Sequence, residues 1–181
     1  MRDLVASLVL TSLALVLAPA RPAGALDVPA RKPGLWNISL TFAGGPADGH
    51  TIASEHCIDA ETDKLMNAIG GGTRNDMCSK MEMQKTASGY VFDSICNSGT
   101  GNLASHGVIT GSFDSTYTVD VTAKHEGGSP VPGMPAETQM QISAKWAGAC
   151  KPGQQPGDMI MANGLKMNIK SMLGIGASTK P

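Results

Sequence analysis

The chain has 181 residues, 41% of them hydrophobic and 4% aromatic, with a formal net charge of −1. That composition fits one ordinary globular unit and excludes both a disordered tail and a polybasic nucleic-acid binder. No run of like charges is long enough to steer a charged partner.

The first segment is an address. MRD supplies a positive start, residues 4–18 (LVASLVLTSLALVLA) an apolar to weakly polar stretch, and PARPAGA ends in Ala23-Gly24-Ala25. This arrangement predicts a secretory signal peptide over residues 1–25, cleaved before Leu26. A membrane-spanning helix would need about 20 apolar residues, and here Pro19 and Pro22 follow the stretch at once. No cysteine lies near the cleavage region to receive lipid. What remains is a β-rich unit over residues 26–150 and a methionine-rich tail over residues 151–181, together carrying a net charge of −2. The expected location is periplasmic or secreted.

The mature chain then reads as short strands. LWNISLTF (35–42) alternates strictly, with Trp36, Ile38, Leu40 and Phe42 on one face and Asn37, Ser39 and Thr41 on the other. GGPADG (44–49) is a turn, and TIASEHCI pairs back as a second strand. In DAETDKLMNAIG the period changes to that of a helix, with Asp59 as N-cap, Leu65, Met66 and Ile69 on one face, and Gly70 at the end. Asp59 and Asp63 read as a cap followed by a solvated acidic first turn. SKMEMQKT and GYVFDSI flank the turn Ala87-Ser88-Gly89 as a hairpin, and NLASHGVIT and STYTVDVTA flank residues 111–114 as another. Residues 124–137 hold three prolines and three glycines and break regular structure. TQMQISAKW is a last strand with Met140, Ile142, Ala144 and Trp146 on one face, and the tail beyond Cys150 carries no clear pattern. The expectation is a mainly β fold, a single antiparallel meander of about seven strands curved into a sheet or half-barrel, with one short helix.

Four cysteines, Cys57, Cys78, Cys96 and Cys150, all lie in the exported part, and an even count in an oxidising compartment reads as two disulfides. Their gaps of 20, 17 and 53 residues contain no C-x-x-C pair, so zinc and thiol redox sites lack their signatures. Cys78 and Cys96 stand at the open ends of one hairpin, within reach of the Cα separation of about 5.5 to 6 Å that a disulfide prefers. Cys57–Cys150 then completes the pattern, with Cys57–Cys78 and Cys96–Cys150 as the rival.

RKPGLW, CIDAETDKLM, the Cys78 to Cys96 segment, SHGVITGSFDSTYTVDV, PVPGMPAETQMQISAKWAGAC and PGDMIMANGLKMNI together resemble the bacterial exported family known as domain of unknown function 3617. The resemblance covers about residues 31–169 and implies an envelope protein of a Gram-negative bacterium. It brings no catalytic residues, cofactor or ligand.

No G-x-S-x-G, H-E-x-x-H or P-loop motif occurs, and the adjacent Ser105 and His106 point to opposite faces of a strand. A non-enzymatic binding module is therefore expected, without cofactor, nucleic acid or membrane span after cleavage. Its pocket would be lined by Trp36, Leu40, Val119, Val121, Met140, Ile142 and Trp146, for a small apolar ligand. A protein partner in the envelope is the other form of the same reading, with the proline-rich loop as its contact. The alternative is soft-metal binding, copper above all, through Met81, Met83, Met159 and Met161. Met77, Met140, Met167, Met172 and the four histidines are further donors, although methionine also fills an aromatic-poor core. N-terminal sequencing of protein recovered from the cell envelope should begin at Leu26; a chain that retains Met1 would remove the signal-peptide reading.

Overall fold

The computed structural model describes residues 29–70, 78–97, 99, 101–129 and 135–175. The signal peptide, Met77, and Pro130 and Pro132 of the proline-rich loop lie outside the described residues. The elements are β1 (Gly34–Ala43), a short 3-10 turn (Gly45–Ala47), β2 (Thr51–Ile58), α1 (Ala60–Gly70), β3 (Cys78–Lys85), β4 (Gly89–Asn97) and β5 (Asn102–Ser112). After these come β6 (Thr116–His125), β7 (Glu137–Gly148), β8 (Asp158–Met161), β9 (Lys166–Asn168) and α2 (Ile169–Met172).

All the strands join one open antiparallel sheet in the order β3-β4-β5-β6-β7-β1-β2-β8-β9. The first five of that order, β3 to β7, form a meander, five strands of the expected seven. The first hairpin is then laid alongside β7, because β1 pairs with both β2 and β7. Chain connection from β2 to β3 therefore crosses from one part of the sheet to its far edge, and α1 lies on that crossover. The tail is ordered into the edge: β8 pairs with β2 and β9 with β8. Two short strands and a turn of helix thus arise from a segment without alternation long enough to announce them.

Strand register puts the apolar sets on one face. Trp36 stands opposite His56 on one side and Trp146 on the other, while Ile38 faces Ala144, Leu40 faces Ile142 and Phe42 faces Met140. Val119 and Val121 of β6 meet Ile142 and Met140. The reverse face carries Asn37, Ser39 and Thr41 against Lys145, Ser143 and Gln141. The core is gathered at one end of the apolar face, where Trp36, Ile58, Ile109, Tyr117 and Ala144 are buried and Met66 of α1 packs onto them. A chain of rings runs through it, with Trp36–Tyr117 at 5.5 Å, Tyr117–Phe113 at 4.8 Å and Phe113–Tyr90 at 6.2 Å between centroids.

Two devices fix α1 and the chain entry. Asp59 caps the helix: its Oδ1 accepts from the Thr62 N–H at 2.8 Å and from the Thr62 hydroxyl at 2.7 Å, and the Asp59 N–H donates back to Thr62 Oγ1 at 3.0 Å. Asp63 departs from the expected solvated turn. It is 1% exposed and accepts from Arg31 Nε at 2.6 Å and the Arg31 N–H at 2.8 Å, with Arg31 itself only 7% exposed. Periodicity placed Asp63 on the helix but could not show which neighbour covered it.

Residues 31–33 accordingly form a strap over the core end. The Trp36 indole N–H donates to the Lys32 carbonyl at 2.8 Å, the Trp146 indole N–H to the Pro33 carbonyl at 3.1 Å, and the Lys32 ammonium sits 3.6 Å from the Trp146 ring centroid. Gly34 follows at φ 127°, and a Cβ there would run into the Gly148 carbonyl oxygen, so glycine is required where the strap turns into β1.

Cys78 and Cys96 are direct cross-strand partners and are bridged, with Cα atoms 3.9 Å apart. Cys57 is bridged to Cys150 at a Cα separation of 5.4 Å, across the β1 residue Leu35, whose neighbours are Cys57 on one side and Gly148 on the other. In the chain-entropy account the sequence separation of 93 is worth more than that of 18, about 4.7 against 3 kcal/mol. Asp63→Ala should destabilise the fold by about 3 to 5 kcal/mol, since it leaves the Arg31 guanidinium buried and unpaired. Arg31→Met combined with Asp63→Leu should recover most of that loss; chemical denaturation with equal destabilisation in both variants would show that the charge pairing itself is unimportant.

Candidate functional site

The length of α1 sets how much of the apolar face is covered. Its 11 residues span roughly 16 Å at about 1.5 Å per residue, whereas nine strands spaced by about 4.8 Å make a sheet roughly 40 Å wide. One such helix closes one end only. Beyond it lie two transverse rows of side chains, Leu40–Ile142–Val119–Ile109–Tyr90 and Phe42–Met140–Val121–Gly107–Phe92. Ile109 is buried, and the other apolar side chains of both rows are half-buried. Phe92 lies against Gly107, where any Cβ would collide with its ring, so the missing side chain lets the aromatic fold down as a floor. The result is a shallow apolar trough bounded by the aromatic chain at its closed end.

The residues expected to line a pocket divide between two roles. Leu40, Val119, Val121, Met140 and Ile142 share the trough. Trp36 is 0% exposed and belongs to the core, and half-buried Trp146 is held beneath Lys32 at the strap. Phe92, Tyr90 and Met83 complete the same face; in the sequence the glycine turn between SKMEMQKT and GYVFDSI, which sets the hairpin register, was their signal. A separate open cleft of about 800 Å³ occupies the reverse face, lined by Asn37, Ser39, Glu55, Thr116, Ser143 and Lys145 among others. Ala53, Ile160 and Met161 also stand in its walls, so the cleft is mixed in character and carries charge where the trough has none.

Methionines expected to act together are separated. Met81 and Met83 are on β3 at one sheet edge, whereas Met159 and Met161 are on β8 near the other. Each M-x-M pair does share a face, as strand alternation requires. The described residues contain no group of three or more His, Cys, Asp or Glu side chains able to hold a metal ion. His106 Nδ1 lies 2.9 Å from Asp93 Oδ1, but both side chains are exposed on the polar face, and Ser105 is directed to the other side.

His56 was the least visible of the polar residues. It faces Trp36 in the register, its Nε2 lies 3.1 Å from Ser54 Oγ, and its Nδ1 is buried with no hydrogen-bond partner among the described residues. Burial, reinforced by the Arg31 charge, pushes it from the ordinary 6.5 down to about 4. The unfolded chain therefore takes up a proton between those pH values that the folded chain refuses, so stability falls as pH drops through that window. At about 1.4 kcal/mol per pH unit the full loss is on the order of 3 kcal/mol. Denaturant midpoints measured from pH 7 to 5 should decline for the native chain, and His56→Gln should flatten the slope; an unchanged slope would assign the titration to other groups.

No match to the chain is found among curated proteins or among solved structures. A family model described as protein of unknown function (DUF3617) matches residues 31–150, from the arginine of the buried ion pair to the second cysteine of the longer disulfide. The match stops short of β8 and β9, which the resemblance over about residues 31–169 includes. With two thirds of its length matched, the chain belongs to the DUF3617 family.

Proposed function

We propose that this protein is an exported, non-catalytic binding module whose trough takes a small apolar ligand of acyl-chain character. The observation that carries the reading is the continuity of Leu40, Ile142 and Val119 with Phe42, Met140, Val121 and Phe92, half-buried on a face that α1 is too short to cover. Contiguous apolar surface of this kind is uncommon on a protein with no partner for it. The side chains there offer no charge, so selectivity would come from shape and length. Export to the envelope supports an apolar ligand drawn from lipid, and it rests on the signal-like residues 1–25 together with two disulfides. No helix among the described residues is long and apolar enough to cross a membrane.

An anilinonaphthalene dye should bind the native, oxidised chain and be displaced by a long-chain fatty acid. Val121→Asp should abolish that binding while the disulfides and the circular dichroism spectrum persist. A dye that binds only after denaturant is added would instead mean that the face is filled in the native state.

A further inference from the structure

We propose that His56, Met159 and Met167 form a site for a soft monovalent cation, copper(I) in the cell. The residues lie in one transverse row: His56 of β2 is the register partner of Met159 of β8, which is the partner of Met167 of β9. Directly opposed residues point to the same face, with Cβ atoms about 4.5 to 5.5 Å apart. An imidazole and two thioethers are therefore gathered within the reach of one ion. Met161, the partner of Ser54, lies one pair further along the same face.

Two observations converge on this row. The first is the Nδ1 of His56, buried and without a hydrogen-bond partner among the described residues, an arrangement that folded proteins seldom leave without a reason. The second is the contact between His56 Nε2 and Ser54 Oγ at 3.1 Å, since a metal-binding imidazole characteristically has its other nitrogen hydrogen-bonded to orient the ring. Thioether donors select copper(I) over zinc or the hard divalent ions. The Arg31 charge, which disfavours a protonated His56 although it is paired with Asp63, also opposes a cation at the row, and it does so less for one positive charge than for two.

The tail holds the second and third donors. The Gly157 N–H donates to the Cys57 carbonyl at 2.8 Å, the Ile169 N–H to the Gly157 carbonyl at 2.9 Å, and Lys166 pairs with Asp158 at 2.7 Å. These contacts fix β8 and β9 against β2 close to the buried disulfide residue Cys57. The site shares no residue with the trough, so a failed dye experiment and a failed metal titration are separate outcomes.

Silver(I), a soft monovalent ion that air does not oxidise, is the first probe, read by native mass spectrometry and by methionine-methyl NMR on the oxidised chain. One silver ion per chain should bind, with the largest shifts at Met159 and Met167. Copper(I) competition against bicinchoninate should then weaken by at least about tenfold in Met159→Leu, Met167→Leu and His56→Gln. The two leucine variants conserve volume and should fold normally. Met81→Leu with Met83→Leu should bind as the native chain does. Absence of a retained ion, shifts centred on Met81 and Met83, or native affinity in the leucine variants of β8 and β9 would each overturn the site.

Discussion

The buried pairing of Arg31 with Asp63 is the constraint on which the rest of this structure depends. Removing two charges from water costs several kcal/mol per ion, and their attraction offsets that only in a well-formed geometry. Asp63 meets it with both oxygens, one taking the Arg31 side chain and the other the Arg31 backbone N–H. The pair therefore fixes a helix residue against a strap residue at one spot. From that spot follow the position of α1 over Trp36 and Tyr117 and the placement of the Lys32 and Pro33 carbonyls beneath the two indole N–H groups. The Trp36 indole would otherwise carry a buried donor without an acceptor.

Concentrating the core at one end has a consequence for the other. With 4% aromatic residues, the chain invests most of its rings in the line from Trp36 to Tyr90. The remaining apolar face is left to Val, Ile, Leu, Met and Phe side chains that the single longer helix does not reach. Gly107 deepens that surface because Phe92 can settle where a side chain would have stood. The longer disulfide, clasping β1 between Cys57 and Cys150, and the tail strands beside it then rigidify the opposite flank, where His56 is enclosed. One sheet thus carries two distinct environments on the same face, one apolar and one with soft donors.

Legibility differed between these regions for identifiable reasons. Strict alternation in β1, β6 and β7 revealed which side chains share a face, because a strand has a period of two whatever surrounds it. Hairpin turns with glycine located the neighbours of β3, β4, β5 and β6, and hence the Cys78–Cys96 bridge. The same logic failed for Asp63, whose first-turn position is as suitable for water as for a guanidinium. It failed again for β8 and β9, each too short to display a pattern; they are strands because β2 offered a free edge, not because their residues demanded it.

By itself the sequence determined the class of the fold, the amphipathic faces of its strands, the helix cap at Asp59 and the presence of cysteines in bridging number. These depend on neighbours close along the chain or on simple counting. Only the tertiary structure decided that β1 lies between β2 and β7, that Arg31 and Asp63 meet, and that His56 shares a row with Met159 and Met167. Those pairs join residues 32, 103 and 111 positions apart, and no local periodicity carries information over such distances. They are fixed by which sheet edge remains unpaired and by which buried charge must find its opposite.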